Sequence, residues 1–185
     1  MGAIGNKPIK FRSTEAYEEP EMLVDLDSVR NKAINGGYIA NHRLDIERLI
    51  KENFKDIIIM KQALASDISG KLEYNDGHWI MIVNCLHPEV RQRYTLGHEL
   101  GHYLNHRKTI KSFKDGVFFR NKQKSSMEYM ADQFAARLLM PETDIKMLLS
   151  EGVKTVKEMA AKFEVSLEAM KYRLEELGYS IKKTV

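Results

Sequence analysis

The feature that most constrains this chain is the pentapeptide His98-Glu99-Leu100-Gly101-His102. Placed on a helix, residues four apart share one face about 5–6 Å apart, so both imidazoles reach a single ion. Glu99 then lies about 100° round from His98 and about 60° from His102, flanking that face without ligating. The residue types suit one chemistry. Zinc lowers the pKa of bound water to about 7, a carboxylate takes its proton, and the hydroxide attacks a carbonyl polarised by the ion. The same Glu99 can return the proton to a leaving amine. The competing reading is a solvated helix that carries these residues by chance, with Gly101 merely unfavourable; the strand-then-helix context of the motif speaks against it.

A catalytic zinc takes three protein ligands and keeps one position open, so a further donor is needed. Among 185 residues there is a single cysteine, Cys85, which excludes a cysteine-rich site and an internal disulfide. The donor must be His or a carboxylate. Glu128 opens the strongest helical stripe on the chain, in which Met127, Met130, Ala131, Phe134, Ala135, Leu138 and Leu139 recur at helical spacing until Pro141. Glu128 reads equally as the third ligand or as the N3 residue of a capping box opened by Ser125. Asp132 follows at i+4, within reach of a histidine ring nitrogen, although periodicity alone makes it a solvated helix position. His106 extends the His98 and His102 face by another turn, too far to join the same ion, and reads as a wall or surface residue. His42, His78 and His87 have no such spacing.

Around these residues the chain reads as α+β. Residues 1–22 are polar and aperiodic and form an arm. A helix is expected over 42–54, capped by Asn41; a buried strand at Ile57, Ile58 and Ile59; and a hairpin of Leu72 to Tyr74 and Trp79 to Val83 around Asn75-Asp76-Gly77, in an antiparallel or mixed sheet. The motif helix should run from Pro88 to His106, and a basic, aromatic loop from Lys108 to Lys124. Two short helices should follow Gly152. Thr155 and Glu158 cap the first, and Ser166 precedes Leu167, Met170, Leu174 and Leu177 in the second, which ends at Gly178. These elements divide into an arm and first helix (1–40), a catalytic domain (41–141) and a C-terminal helical subdomain packed on it (142–185). The 29 Lys and Arg against 26 Asp and Glu leave +3, which implies no extended nucleic-acid or membrane footprint. No apolar run is long enough for a bilayer, and the chain reads as cytoplasmic.

Three blocks together resemble the ImmA/IrrE-type metallopeptidases: residues 91–102, ending in the His98–His102 motif; Glu128-Tyr-Met-Ala-Asp-Gln-Phe-Ala135; and Leu138-Leu-Met-Pro141. Asp67-Ile-Ser-Gly70, the strand from Ile80 to Asn84, and the segment from Ala160 to Gly178 fit the same pattern, so the resemblance spans roughly residues 40–180. Gly97 and Tyr94 stand where the family more often has Ala and Phe. The resemblance implies a zincin-like fold, one zinc per chain, Glu128 as third ligand and Asp132 as an orienting residue beside it. It further implies bacterial or mobile-element proteins that cleave a helix-turn-helix repressor or antitoxin.

Two other functions compete. The C-terminal pair has helix-turn-helix proportions, but its second helix carries Lys171 and Arg173 beside Glu168, Glu175 and Glu176, a poor phosphate-facing surface, so direct nucleic-acid binding is not expected. A non-catalytic interaction module that keeps the metal for stability is the other. The loop with Lys108, Lys111, Lys114, Arg120, Lys122 and Lys124 around Phe113, Phe118 and Phe119 reads first as solvated, then as a substrate lid, with a nucleic-acid patch as the remaining alternative. Tyr103, Tyr129, His106 and Arg137 are candidates by type for stabilising an oxyanion, and none stands out by position.

Overall fold

A computed structural model describes residues 2–4, 26–107, 112–114 and 126–183. Helix α1 (Leu26–Asn35) buries Val29 and Ala33. Strands β2 (Ile39–Ala40) and β3 (Arg43–Leu44) then form a short antiparallel hairpin. Its tip, Asn41 and His42, sits at φ 50° and 68°. That left-handed conformation is one Asn and His tolerate better than most residues. Asn41 is therefore a turn residue and caps nothing. The helix expected over 42–54 is α2 (Ile46–Asn53), capped by Asp45, whose carboxylate accepts from the Arg48 amide at 3.1 Å.

The sheet contains β4 (Ile57–Gln62), β5 (Gly70–Asn75), β6 (His78–Asn84) and β7 (Ser112–Lys114) in the order β4-β6-β5-β7. It is mixed, since β4 runs parallel to β6 and the other pairs are antiparallel. The β5–β6 hairpin closes through Asp76 at φ 48° and Gly77 at φ 84°. Two successive positive φ values match the twist of paired strands, and Asp-Gly adopts them at little cost. Leu72, Trp79, Met81 and Val83 alternate onto the inner face and are buried, whereas Ile58 and Met60 on the outer face are exposed. β7 lies inside the stretch expected to be a loop, where β5 has an edge left to pair. The rest of that stretch, and the side chain of His106, lie outside the described residues.

Helix α3 (Glu89–His106) crosses the inner face, burying Leu96, Leu100 and Tyr103. Helix α4 (Ser126–Leu139) packs along it and buries the expected stripe of Met130, Ala131, Phe134, Ala135, Leu138 and Leu139. Pro141 ends α4 as expected but also opens an unexpected helix, α5 (Glu142–Ser150), which buries Ile145 and Leu148. Then come α6 (Val156–Phe163), with the full Thr155–Glu158 capping box, and α7 (Leu167–Glu176), with Ser166 as N-cap. Gly178 follows at φ 82°. Strand β8 (Ile181–Lys183) pairs antiparallel with β1 (Gly2–Ile4).

One hydrophobic cluster runs from Val29 and Ile50 through Leu100 and Phe134 to Phe163 and Leu174. Each such side chain contributes about 1.5–3 kcal/mol by leaving water. Two buried arginines tie helix ends into this core. Arg93 on α3 donates to the Phe163 carbonyl at 3.0 Å, to the Glu164 carbonyl, and to the Leu44 carbonyl at 2.8 Å. Arg173 on α7 donates to the Met140 carbonyl at 3.0 Å. The result is a mixed α+β fold with seven helices among the described residues, none long and apolar enough to cross a membrane.

Candidate metal centre

The motif residues lie on the buried side of α3, and α4 supplies the opposite wall. Close approach of these helices sets the geometry. A Cβ built on Gly101 would lie 3.0 Å from the Ala131 Cα and 3.2 Å from the Phe134 Cβ. One on Gly97 would lie 3.2 Å from the Ala135 Cβ. Gly97 and Gly101, one turn apart, thus form a seam against Ala131 and Ala135. Gly101, merely unfavourable in an isolated helix, is what lets α4 reach the histidines.

Across the seam, His98 Nε2 lies 3.0 Å from His102 Nε2 and 3.2 Å from Glu128 Oε2, and His102 Nε2 lies 3.3 Å from Glu128 Oε1. One ligand atom from each of His98, His102 and Glu128 falls within 4.8 Å of the others, and all three residues are buried. Tetrahedral zinc with bonds of about 2.0–2.1 Å holds its ligand atoms about 3.3–3.4 Å apart, so the spacing fits such an ion. The orientation of the rings fits as well. His98 Nδ1 donates to Asp132 Oδ1 at 3.0 Å, which turns the Nε2 edge of the ring toward Glu128 and His102. Asp132 is itself positioned from α3, because the Tyr94 hydroxyl donates to its carbonyl at 3.3 Å.

The electrostatics favour a cation. Burial by itself would raise the Glu128 carboxyl, yet hydrogen bonds from His102 and His98 hold it far below the usual carboxylate range. Burial alone would likewise depress His98, and the bonds to Asp132 and Glu128 with the charge of Glu99 outweigh it, holding the imidazole well above its ordinary value. Three carboxylates, Glu99, Glu128 and Asp132, surround two imidazoles, an excess of negative charge that a divalent ion offsets.

Glu99 is 1% exposed. It sits beside β5, where a Cβ on Gly70 would lie 3.2 Å from Glu99 Oε1 and 2.5 Å from the Thr95 Cγ2. Gly70 therefore clears space for the carboxylate, a role the sequence did not disclose. Asn84, wholly buried, shapes the loop that delivers Gly70: its Nδ2 donates to the carbonyls of Leu64, Ala65 and Ile68, and its Oδ1 accepts from the amides of Leu64 and Leu86.

The remaining sequence candidates disperse. Tyr103 points away from the centre into the core, donating to both Asp56 carboxylate oxygens at 2.8 Å and accepting from Arg107. Arg137 pairs with Glu176 at 3.5 Å. Neither sits where an oxyanion would form. His42 lies near Asp144, and His87 Nε2 meets the Ser66 carbonyl. Ser125, the expected cap of α4, lies outside the described residues; Glu128, its expected capping partner, faces both histidines.

The model of the IrrE N-terminal-like domain family, Peptidase_M78, matches residues 54–175, a span that contains every residue of the centre. No curated protein matches the chain. Among solved structures, a Mycobacterium tuberculosis transcriptional regulator is similar in fold, with a TM-score of 0.52 at 13% identity over 80% of this chain and 50% of that chain. The chain thus corresponds to half the length of that regulator.

Proposed function

Because the chain belongs to the IrrE N-terminal-like (Peptidase_M78) metallopeptidase family, we propose that it is a zinc-dependent endopeptidase that cleaves a partner regulatory protein of the repressor or antitoxin type. The observation that carries this reading is the buried convergence of His98, His102 and Glu128 beside the carboxylate of Glu99. The three residues would hold one zinc ion. When bound, the ion supplies Lewis acidity, lowering the pKa of water to about 7 and polarising the scissile carbonyl. Asp132 keeps His98 in the tautomer whose Nε2 is a ligand. Glu99 takes the proton of the attacking water and hands it to the leaving amine nitrogen, and its burial excludes bulk water from that transfer.

In this reading the fold is zincin-like. Residues 41–141 form the catalytic unit behind an N-terminal arm and helix over 1–40, and residues 142–185 form a helical subdomain docked on it. The protein works in the cytoplasm, where limited cleavage of a DNA-bound repressor relieves repression. A DNA-binding role for the α6–α7 pair finds less support. Arg173, one of two cations counted for a recognition helix, is buried against the Met140 carbonyl, which leaves Lys171 among Glu168 and Glu175 on the exposed face.

The test is to locate a repressor gene beside this one and co-incubate its product with the zinc-loaded chain, with and without chelator, alongside Glu99→Gln. Cleavage should fall about 10²–10⁴-fold in Glu99→Gln while one zinc per chain is retained. Undiminished cleavage in that variant, or in chelated protein, refutes the mechanism.

A further inference from the structure

Strand β7 closes the sheet edge that leads to Glu99. β5 starts at Gly70, where an added Cβ would lie 3.2 Å from Glu99 Oε1, so this end of β5 runs beside the carboxylate. One edge of β5 is covered by β6 and the other by β7, with Ser112 opposite Glu73, Phe113 opposite Leu72 and Lys114 opposite Lys71. The pairing is antiparallel, so β7 runs toward Gly70, the residue that precedes Lys71. A chain laid on this edge in the same direction brings its next residue opposite Gly70, one strand spacing of about 4.8 Å away.

Main-chain groups on a sheet edge hold a peptide in extended form, and alternate side chains set what it must carry. Leu72 is wholly buried on the inner face. A residue opposite it shares that face, so an apolar side chain is needed there. Lys71 and Glu73 point to the other face and bond to each other at 3.1 Å, which leaves little net charge to select the flanking residues. β7 is also the most lightly held strand of the four. It pairs over three residues, whereas β4 and β5 each pair with β6 over six, and short edge pairings are the part of a sheet that opens at least cost.

We propose that β7 is an internal competitor on this edge: it takes the place of an extended peptide with an apolar residue opposite Leu72, and such a peptide reaches Glu99 only when β7 leaves. What then happens at Glu99 rests on the hydrolase reading above; the exchange of strands on β5 does not. A site filled from within loses apparent affinity in proportion to the fraction of molecules in which it is open, so β7 sets how readily the centre takes up a chain.

The test locks β7 in place. Directly opposite residues of an antiparallel pair have Cα atoms about 4.5–5.5 Å apart, inside the range of roughly 4.4–6.8 Å that a disulfide spans. Lys71→Cys with Lys114→Cys is therefore made in the zinc-loaded full chain carrying Glu99→Gln, so that nothing is cut, and Cys85→Ser, since Cys85 is exposed. The probe is a fluorescein-labelled protein chain kept unfolded by reduction and alkylation of its cysteines, followed by fluorescence polarisation. Oxidation should form the disulfide and weaken binding about tenfold or more relative to the same protein reduced. Because the two forms are one protein, misfolding of a variant does not mimic this result. Replacing Ser112, Phe113 and Lys114 together by Gly, which weakens the strand, should tighten binding about tenfold at unchanged zinc content. Failure of the disulfide to form, equal binding by the oxidised and reduced forms, no gain in the glycine variant, or no binding by any form overturns the proposal. Binding as described, without cleavage once Glu99 is restored, supports the strand exchange and counts against the hydrolase.

Discussion

Replacing Gly101 by Ala tests whether the glycine seam sets the metal geometry. In an isolated helix the change is favourable by about 0.5–1 kcal/mol. Here the new Cβ would lie 3.0 Å from the Ala131 Cα, 3.2 Å from the Phe134 Cβ and 3.3 Å from the Ala131 carbonyl oxygen. Carbon atoms prefer about 3.5–4.0 Å, so the shortfall is roughly half an ångström or more. None of the three atoms can rotate away, because two belong to the α4 backbone and the third is fixed to it. The helices must therefore part, at a cost of about 1–3 kcal/mol for overpacking. The net effect on the metal-free protein is a loss of roughly 0–2 kcal/mol, with the helix gain partly concealing the strain.

Zinc affinity has no such compensation. His98 and His102 ride on α3 and Glu128 on α4, so parting the helices lengthens the 3.2 and 3.3 Å separations across the seam. Metal–ligand distances tolerate about 0.2 Å, and we expect zinc affinity to fall about tenfold or more. Chelator competition measures the affinity and thermal melting of the metal-free protein measures the stability. A Gly101→Ala protein that gains the full helix increment and binds zinc as tightly as before refutes the reasoning.

Asp132→Asn removes the carboxylate that fixes the His98 ring and should weaken zinc binding about 10–100-fold in the same competition assay, with little change in metal-free stability. Tyr103→Phe, which gives up a hydroxyl bonded to Asp56 and Arg107, should cost about 1.5–3 kcal/mol at neutral pH in urea unfolding. Burial, then the Asp56 carboxylate, pushes the Tyr103 phenol up to about 12 from an ordinary 10.0. Folding thus favours the neutral form; that contribution is complete below pH 10 and lost as pH rises to about 12, so the phenylalanine variant should lose less stability across that window. Arg93→Met keeps the apolar stem but strips the Leu44, Phe163 and Glu164 carbonyls of their donor, and should lower stability by at least about 2 kcal/mol by denaturant titration.

What the sequence discloses is the part set by neighbours along the chain. The His98–His102 spacing, the stripe from Met130 to Leu139, the Asp76-Gly77 turn and the Thr155–Glu158 cap each depend on residues within about one or two turns, and each appears where expected. Errors arise where two local signals compete. Asn41 and Asp45 are both capping types, and the left-handed turn at Asn41 and His42 decides for Asp45. Pro141 ends one helix and begins another, and only the burial of Ile145 and Leu148 against the core distinguishes the two roles. Partners distant in sequence leave no local trace at all. Nothing near Tyr103 announces Asp56, 47 residues earlier, and nothing near Gly70 announces Glu99.

Glu128 shows how these two kinds of information meet. Locally it is as good a helix-capping residue as a ligand, and the sequence around it cannot choose. The choice is made on the other helix, where glycines at 97 and 101 forgo roughly 0.5–1 kcal/mol each of helix stability and in return admit α4 to within contact of α3. With a side chain at either position the carboxylate would stand farther from the two imidazoles, and the buried charges of Glu99 and Glu128 would face a wider gap. The two glycines and the motif histidines therefore belong to one device. In the proposed site the histidines and Glu99 would supply the chemistry, and the bare backbone at Gly97 and Gly101 brings Glu128 close enough for an ion to join all three.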